Sequence, residues 1–218
     1  MTLKNKLCLL LCIFFLIFTV HAADETSLPA VERVMQKDFP ENGNELEKTT
    51  NSLWREYQEK KNITSLIFYS YGMLKLADRY SALNDLVHAA EYAKVGFFYL
   101  DEAVDLHEND TRVRYLRARV DAWLPGELGR CVIALNDTGK LLVSAAKQRN
   151  SITNTIYQMR YRAFKNCNQD KQAELLLTQI KHSNPDVDVL TLNSNAPPAW
   201  SVSELENIIL PLVRNAND

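Results

Sequence analysis

The sequence predicts an all-α protein in which antiparallel helices stack side by side. Three observations lead there. Only six glycines and seven prolines are spread over 218 residues, which leaves long stretches free of helix breakers. Apolar residues recur at helical spacing within those stretches. The breaks between them coincide with capping and turn residues.

The first 22 residues are expected to be an export signal and not part of the fold. Lys4 and Lys6 form a basic start, and Leu7 to Val20 run apolar without interruption. Val20-His21-Ala22 then supplies a cleavage site before Ala23. The apolar run is shorter than the ~20 residues a spanning helix needs, which favours cleavage over an uncleaved anchor. Neither Cys8 nor Cys12 follows Gly, Ala or Ser, against a lipoprotein. Removing Lys4 and Lys6 from the 25 basic residues leaves the 27 acidic ones in excess, so a nucleic-acid partner is not expected. About 196 residues remain, enough for one domain or a short repeat array.

Taken in order, Ser27-Leu28-Pro29 opens a first helix and Phe39-Pro40 with Glu41 to Asn44 ends it. Glu45 to Lys60 carries Leu46, Leu53, Trp54 and Tyr57 on one face. Thr64 to Tyr80 presents Leu66, Ile67, Ser70, Met73, Leu74 and Ala77, with Gly72 inside, read as either a close helix approach or a tolerated glycine. Asn84 or Asp85 caps a long helix with two apolar rows. One row is Leu86, Ala89, Ala93, Gly96, Leu100, Ala103 and Val104; the other is Tyr92, Val95, Tyr99 and Leu106. Two rows predict neighbours on two sides, with Gly96, Leu100 and Ala103 at the packing seam.

Asp110 or Thr111 opens the next helix, whose inner row is Val113, Leu116, Val120 and Trp123 or Leu124, and Pro125-Gly126 breaks it. Arg112, Arg114, Arg117 and Arg119 crowd this helix. Arg112 and Arg119 share a face with Tyr115, a candidate partner-binding surface for an acidic peptide or a glycan. The alternative is a solvated face paired with Glu102, Asp105 and Glu108. Helices are then expected over Gly129 to Lys147, Ser151 to Asn166 and Lys171 to His182, ended by Pro185. Val187 to Trp200 reads as extended. Ser201 and Glu204 form a capping box for a last helix bearing Val202, Leu205, Ile208, Ile209 and Leu212, limited by Pro211 and expected to cover the open end of the stack.

Cys131 and Cys167 are the two cysteines of the exported chain. If the helices either side of Asn150 are antiparallel, Cys131, 19 residues before it, and Cys167, 17 after it, face each other. A disulfide is therefore expected, worth about 3 to 4 kcal/mol at this loop length; two buried thiols are the alternative.

From Tyr157 the residues resemble a tetratricopeptide repeat, whose signature is W-x2-L-G-x2-Y, then A-x3-F, then proline. Tyr157, Phe164, Ala173, Leu177, Ile180 and Pro185 fall in register, while Arg160 and Tyr161 depart from it. Gly96, Leu100 and Ala103 fill second-helix slots upstream, with Glu108 at the proline position. The resemblance spans Thr64 to Asp186. It implies a degenerate helix-pair solenoid over 63–186, with N-terminal helices over 23–62 and a capping segment over 187–218. It also implies a concave face that binds peptide segments of other proteins, with Ala173 and Leu177 at the helix-packing slots.

Catalytic and metal motifs are not found. His88, His107 and His182 form no ligand pair, and there is no haem-attachment, phosphate-loop or nucleophile-elbow sequence. His107 reads as a helix-terminal residue. Glu102 and Asp105 lie three apart on one helix face, without the opposed geometry of a glycosidase pair. Asn62, Asn109 and Asn136 head glycosylation sequons, relevant only in a eukaryotic secretory pathway. The expectation is a non-enzymatic exported adaptor without cofactor, periplasmic in a Gram-negative bacterium or secreted, with another protein or peptide as partner. An accessory or enzyme acting on peptidoglycan and a small-molecule or metal carrier are the alternatives.

Overall fold

The computed structural model describes residues 28–145, 152–183 and 197–214. The expected signal segment, the Asn150 turn, Pro185 and the extended stretch up to Ala196 lie outside them. The described residues form helices and turns, with no strand.

Side-chain caps set four consecutive helix starts. Helix α1 is Ala30–Lys37. Helix α2, Gly43–Lys60, starts at Asn42, whose side chain accepts from the amides of Asn44 and Glu45. Asn62 caps α3, Ile63–Ala82, Asp85 caps α4, Leu86–Leu106, and Asp110 caps α5, Thr111–Asp121. Each side-chain oxygen satisfies an amide that has no partner within the helix. Pro125 then leads into a single 3-10 turn, Gly126–Leu128, closed by Gly129 in the left-handed region at φ 70°. Helices α6, Cys131–Ala145, α7, Thr153–Asn166, and α8, Asp170–Ser183, follow. His107 is the residue that closes α4.

Each helix from α1 to α8 packs on the next in sequence, and α3 also meets α5 as α5 meets α7. Helix α3 is the central element: every residue from Ile63 to Gly72 is buried. Its fit to both neighbours depends on two glycines. A Cβ on Gly72 would lie 2.3 Å from Thr50 Oγ1 of α2, and one on Gly96 of α4 would lie 2.9 Å from Leu74 Cδ2 and 3.1 Å from the Ser70 carbonyl oxygen. Close approach is therefore the reason for both residues. Leu100 and Ala103 are fully buried on the same seam, as the sequence predicts.

The second row of α4 is only partly covered. Tyr99 meets Trp54 and Tyr69 at ring-centroid distances of 5.0 and 5.5 Å, but Leu106 is 58% exposed. Cys131 and Cys167 are joined by a disulfide, with Cα atoms 5.6 Å apart. It ties the first turn of α6 to the residue that closes α7. Ala173 of α8 is fully buried in a small satellite cluster with Tyr161 and Leu176, and Leu177 packs against it.

The last segment departs from expectation in position. Its capping box is present: the Ser201 side chain accepts from the Glu204 amide, and Glu204 accepts from the Ser201 amide. The segment runs through Val202–Glu204, a π-helical turn Leu205–Ile209, and Leu210–Arg214. It packs on α3 and α5. The cause is apolar: Ile208, Ile209, Leu212 and Val213 join the main core with Val31, Leu66 and Leu116, and burying them there stabilises the docked segment.

Candidate functional site

The arginines of α5 point two ways, and each set finds carboxylates. On one side Arg114 Nη1 donates to Asp137 Oδ1 at 2.7 Å and Arg117 Nε to Asp137 Oδ2 at 2.8 Å. Arg130, just before α6, makes paired hydrogen bonds to both Asp101 and Asp121. Asp121 and Asp137 are fully buried. Three helices, α4, α5 and α6, are thereby clamped by charge-assisted, partly bidentate bonds. Burial works against ionisation of Asp101, and the hydrogen bonds and charges of Arg130 and Arg117 overcome it, holding its carboxyl below the usual range. For Asp121 burial prevails over Arg130 and pushes the carboxyl up to about 7.

This corrects the alternative pairing expected from sequence. Arg114 and Arg117 take Asp101 and Asp137 as partners, and Glu108 offers only its backbone carbonyl to Arg114. The local spacing favours Glu102, Asp105 and Glu108, but the real partners are the buried Asp137 of α6 and the half-buried Asp101 of α4.

The candidate binding surface is also corrected. Tyr115 is 0% and Arg119 5% exposed, so neither lies on a free surface. Arg112 is spent locally, its guanidinium bonded to the capping carboxylate of Asp110 at 2.6 and 2.9 Å. Tyr115 and Arg119 face the C-terminal segment. Arg119 Nε and the Tyr115 hydroxyl both donate to Glu204 Oε1 at 2.9 Å, and Glu204 itself is 1% exposed.

Around that carboxylate the contacts are specific. The Arg119 guanidinium lies 3.6 Å from the Trp200 ring centroid, and its Nη2 donates to the Pro198 carbonyl. Trp200 in turn stacks on Phe68 of α3 at 6.2 Å. The Ser201 amide and hydroxyl hold the other carboxylate oxygen, Oε2. Burial opposes ionisation of Glu204; the charge of Arg119 and the hydrogen bonds from Ser201 and Tyr115 outweigh it and hold the carboxyl below its usual range. Burial and the Glu204 charge push the Tyr115 hydroxyl far upward, so it remains a proton donor. The Tyr71 hydroxyl, also buried, donates to the Leu116 carbonyl at 2.6 Å and fixes α3 against α5 beneath this site.

The arrangement recognises a carboxylate, an aromatic ring and an apolar helix face together. The sequence pattern groups Arg112, Tyr115 and Arg119, and no local spacing links Tyr115 and Arg119 to their counterparts Trp200 and Glu204. The signal available was the capping box at Ser201 and Glu204, directly after a tryptophan. Among the described residues no group of three or more His, Cys, Asp or Glu is placed to hold a metal ion, and no helix is long and apolar enough to cross a membrane. No family model, curated protein or solved structure matches the chain.

Proposed function

We propose that the chain is a non-enzymatic protein-interaction module, an exported adaptor built as a degenerate tetratricopeptide-like solenoid of antiparallel helix pairs. The observation that carries this reading is the way the α3 and α5 face holds a helical segment. It engages one carboxylate through Arg119 and Tyr115, one indole through Arg119 and Phe68, and an apolar helix face below them. That is the helix-on-groove mode of recognition, in which spaced apolar anchors give affinity and a polar contact fixes register. Helices α3, α5 and α7 meeting one another in alternation support the solenoid reading. Export to an oxidising compartment, the periplasm of a Gram-negative bacterium or the exterior, accords with the disulfide between Cys131 and Cys167.

Crosslinking of the intact protein in its native host, read by mass spectrometry, tests the reading. The expected result is a recurrent adduct with another protein, with crosslinked positions clustered on one face of the helix stack. Adducts scattered evenly over the surface at background frequency would overturn it.

A further inference from the structure

We infer that the α3 and α5 face carrying Phe68, Tyr115 and Arg119 is a receptor for acidic amphipathic helices. The chain's own Trp200 to Val213 occupies it in cis, and a partner helix of matching pattern displaces it. The inference rests on the interaction-module reading and names the site and the partner's chemistry. The pattern is an aromatic residue, a carboxylate four positions on, and apolar residues at positions +8, +9, +12 and +13, as Trp200, Glu204, Ile208, Ile209, Leu212 and Val213 present them.

Four features distinguish this segment from an ordinary core helix. Its polar contacts to α5 join residues 85 and 89 apart in sequence, so it reaches α5 as a long-range partner, after the chain has passed through α6, α7 and α8. It carries its own capping box, which favours helix at its N-terminus before docking. A fully buried ion pair marks its register, and such pairs serve specificity better than stability, because desolvation offsets most of their attraction. Finally, its helix is flawed. Leu205–Ile209 is π-helical, and the α-helical stretch that follows it, Leu210–Arg214, contains Pro211, which has no amide hydrogen to continue an α-ladder. A partner helix without that proline completes its backbone hydrogen bonds on the same surface and competes at an advantage.

The charge balance states the partner's chemistry. Arg119 has one buried carboxylate partner, Glu204; removing that carboxylate without replacement leaves a buried cation unpaired. A displacing helix must therefore bring an acidic residue to the same place. An apolar helix, or one with a basic residue there, is excluded by the same argument.

The test uses the intact chain and a fluorescent peptide spanning Pro197 to Arg214. The receptor is a full-length E204Q chain, whose resident segment is weakened while Arg119 and Tyr115 are kept. The peptide is expected to bind this variant at least tenfold more tightly than it binds the wild-type chain. A peptide carrying Glu204→Gln should bind it at least tenfold more weakly than the unmodified peptide. Absence of binding by a variant shown to be folded by circular dichroism overturns the inference, as does equal binding of the two peptides. If E204Q does not fold, L212A, which leaves Arg119 and Tyr115 intact, is the receptor; failure of both to fold overturns the inference by showing the segment to be an inseparable part of the core. Peptide binding without any host adduct would retain the groove and reject the adaptor reading. A host adduct without peptide binding would do the reverse.

Discussion

Arg119 and Glu204, 85 residues apart in sequence, meet through a 2.9 Å hydrogen bond at a site where both side chains are almost wholly buried. The pair ties the last segment to the centre of the helix stack. Truncating one partner leaves the other charge buried and unpaired, so Glu204→Ala is expected to cost about 3 to 5 kcal/mol. Replacing both, as R119M with E204L, should recover most of that loss, since a well-packed apolar pair escapes the desolvation penalty. Urea denaturation of the two single variants and the double variant measures the cycle.

Two carboxylates give stability opposite pH dependences. The Glu204 carboxyl is held below its usual range in the folded state, so its contribution is complete above the unfolded value of about 4.3 and is lost as pH falls through the folded one. Asp121 is pushed up to about 7. The folded state then binds the extra proton between about 4 and 7, and stability falls as pH rises through that window. Urea titrations across pH 3 to 8 should show E204Q flattening the acid limb and D121N flattening the decline towards neutrality.

How much of this was legible in the sequence follows from range. Caps act within one turn, so Asp85, Asp110 and the pair Ser201 and Glu204 mark helix starts that the sequence alone offers, Asp85 beside Asn84 and Asp110 beside Thr111; Asn62, read as closing the preceding helix, is instead the cap of α3. The two cysteines can be paired from the sequence because their helices, α6 and α7, are consecutive. Tyr115 and Arg119 looked like a solvated face because nothing near them in the chain covers them. Their cover is Trp200 and Glu204, and no local periodicity encodes a contact across that distance. Asp101, Asp121 and Asp137 escaped notice for the same reason: their carboxylates are matched to arginines by helix packing, not by spacing along one helix.

Gly96 fixes the distance between α3 and α4. Its missing Cβ would meet Leu74 Cδ2 at 2.9 Å and the Ser70 carbonyl oxygen at 3.1 Å. Leu74 can shift, but the carbonyl belongs to a buried helix backbone. Gly96→Leu is expected to destabilise the protein by about 1 to 3 kcal/mol or more through overpacking. Thermal unfolding followed by circular dichroism measures it, and a variant as stable as wild type would contradict the close approach.

The Cys131–Cys167 bond closes a loop with a sequence separation of 36 residues. Replacing both cysteines by serine is expected to lower stability by about 3 to 4 kcal/mol under the chain-entropy model. Denaturation of the two proteins side by side checks the magnitude, and mass spectrometry of the unreduced wild type should find neither Cys131 nor Cys167 alkylatable.

On the proposed reading, the C-terminal segment is a separable occupant of the α3 and α5 face. Amide hydrogen exchange on the intact protein tests it most directly, because opening of one segment and global unfolding are resolved residue by residue. The amides of Leu205 to Val213 should exchange faster than those of Leu66 to Gly72 in α3, and E204Q should accelerate exchange in the C-terminal segment while leaving α3 nearly unchanged. Exchange of both stretches at one common rate, shifted equally by E204Q, would contradict the claim.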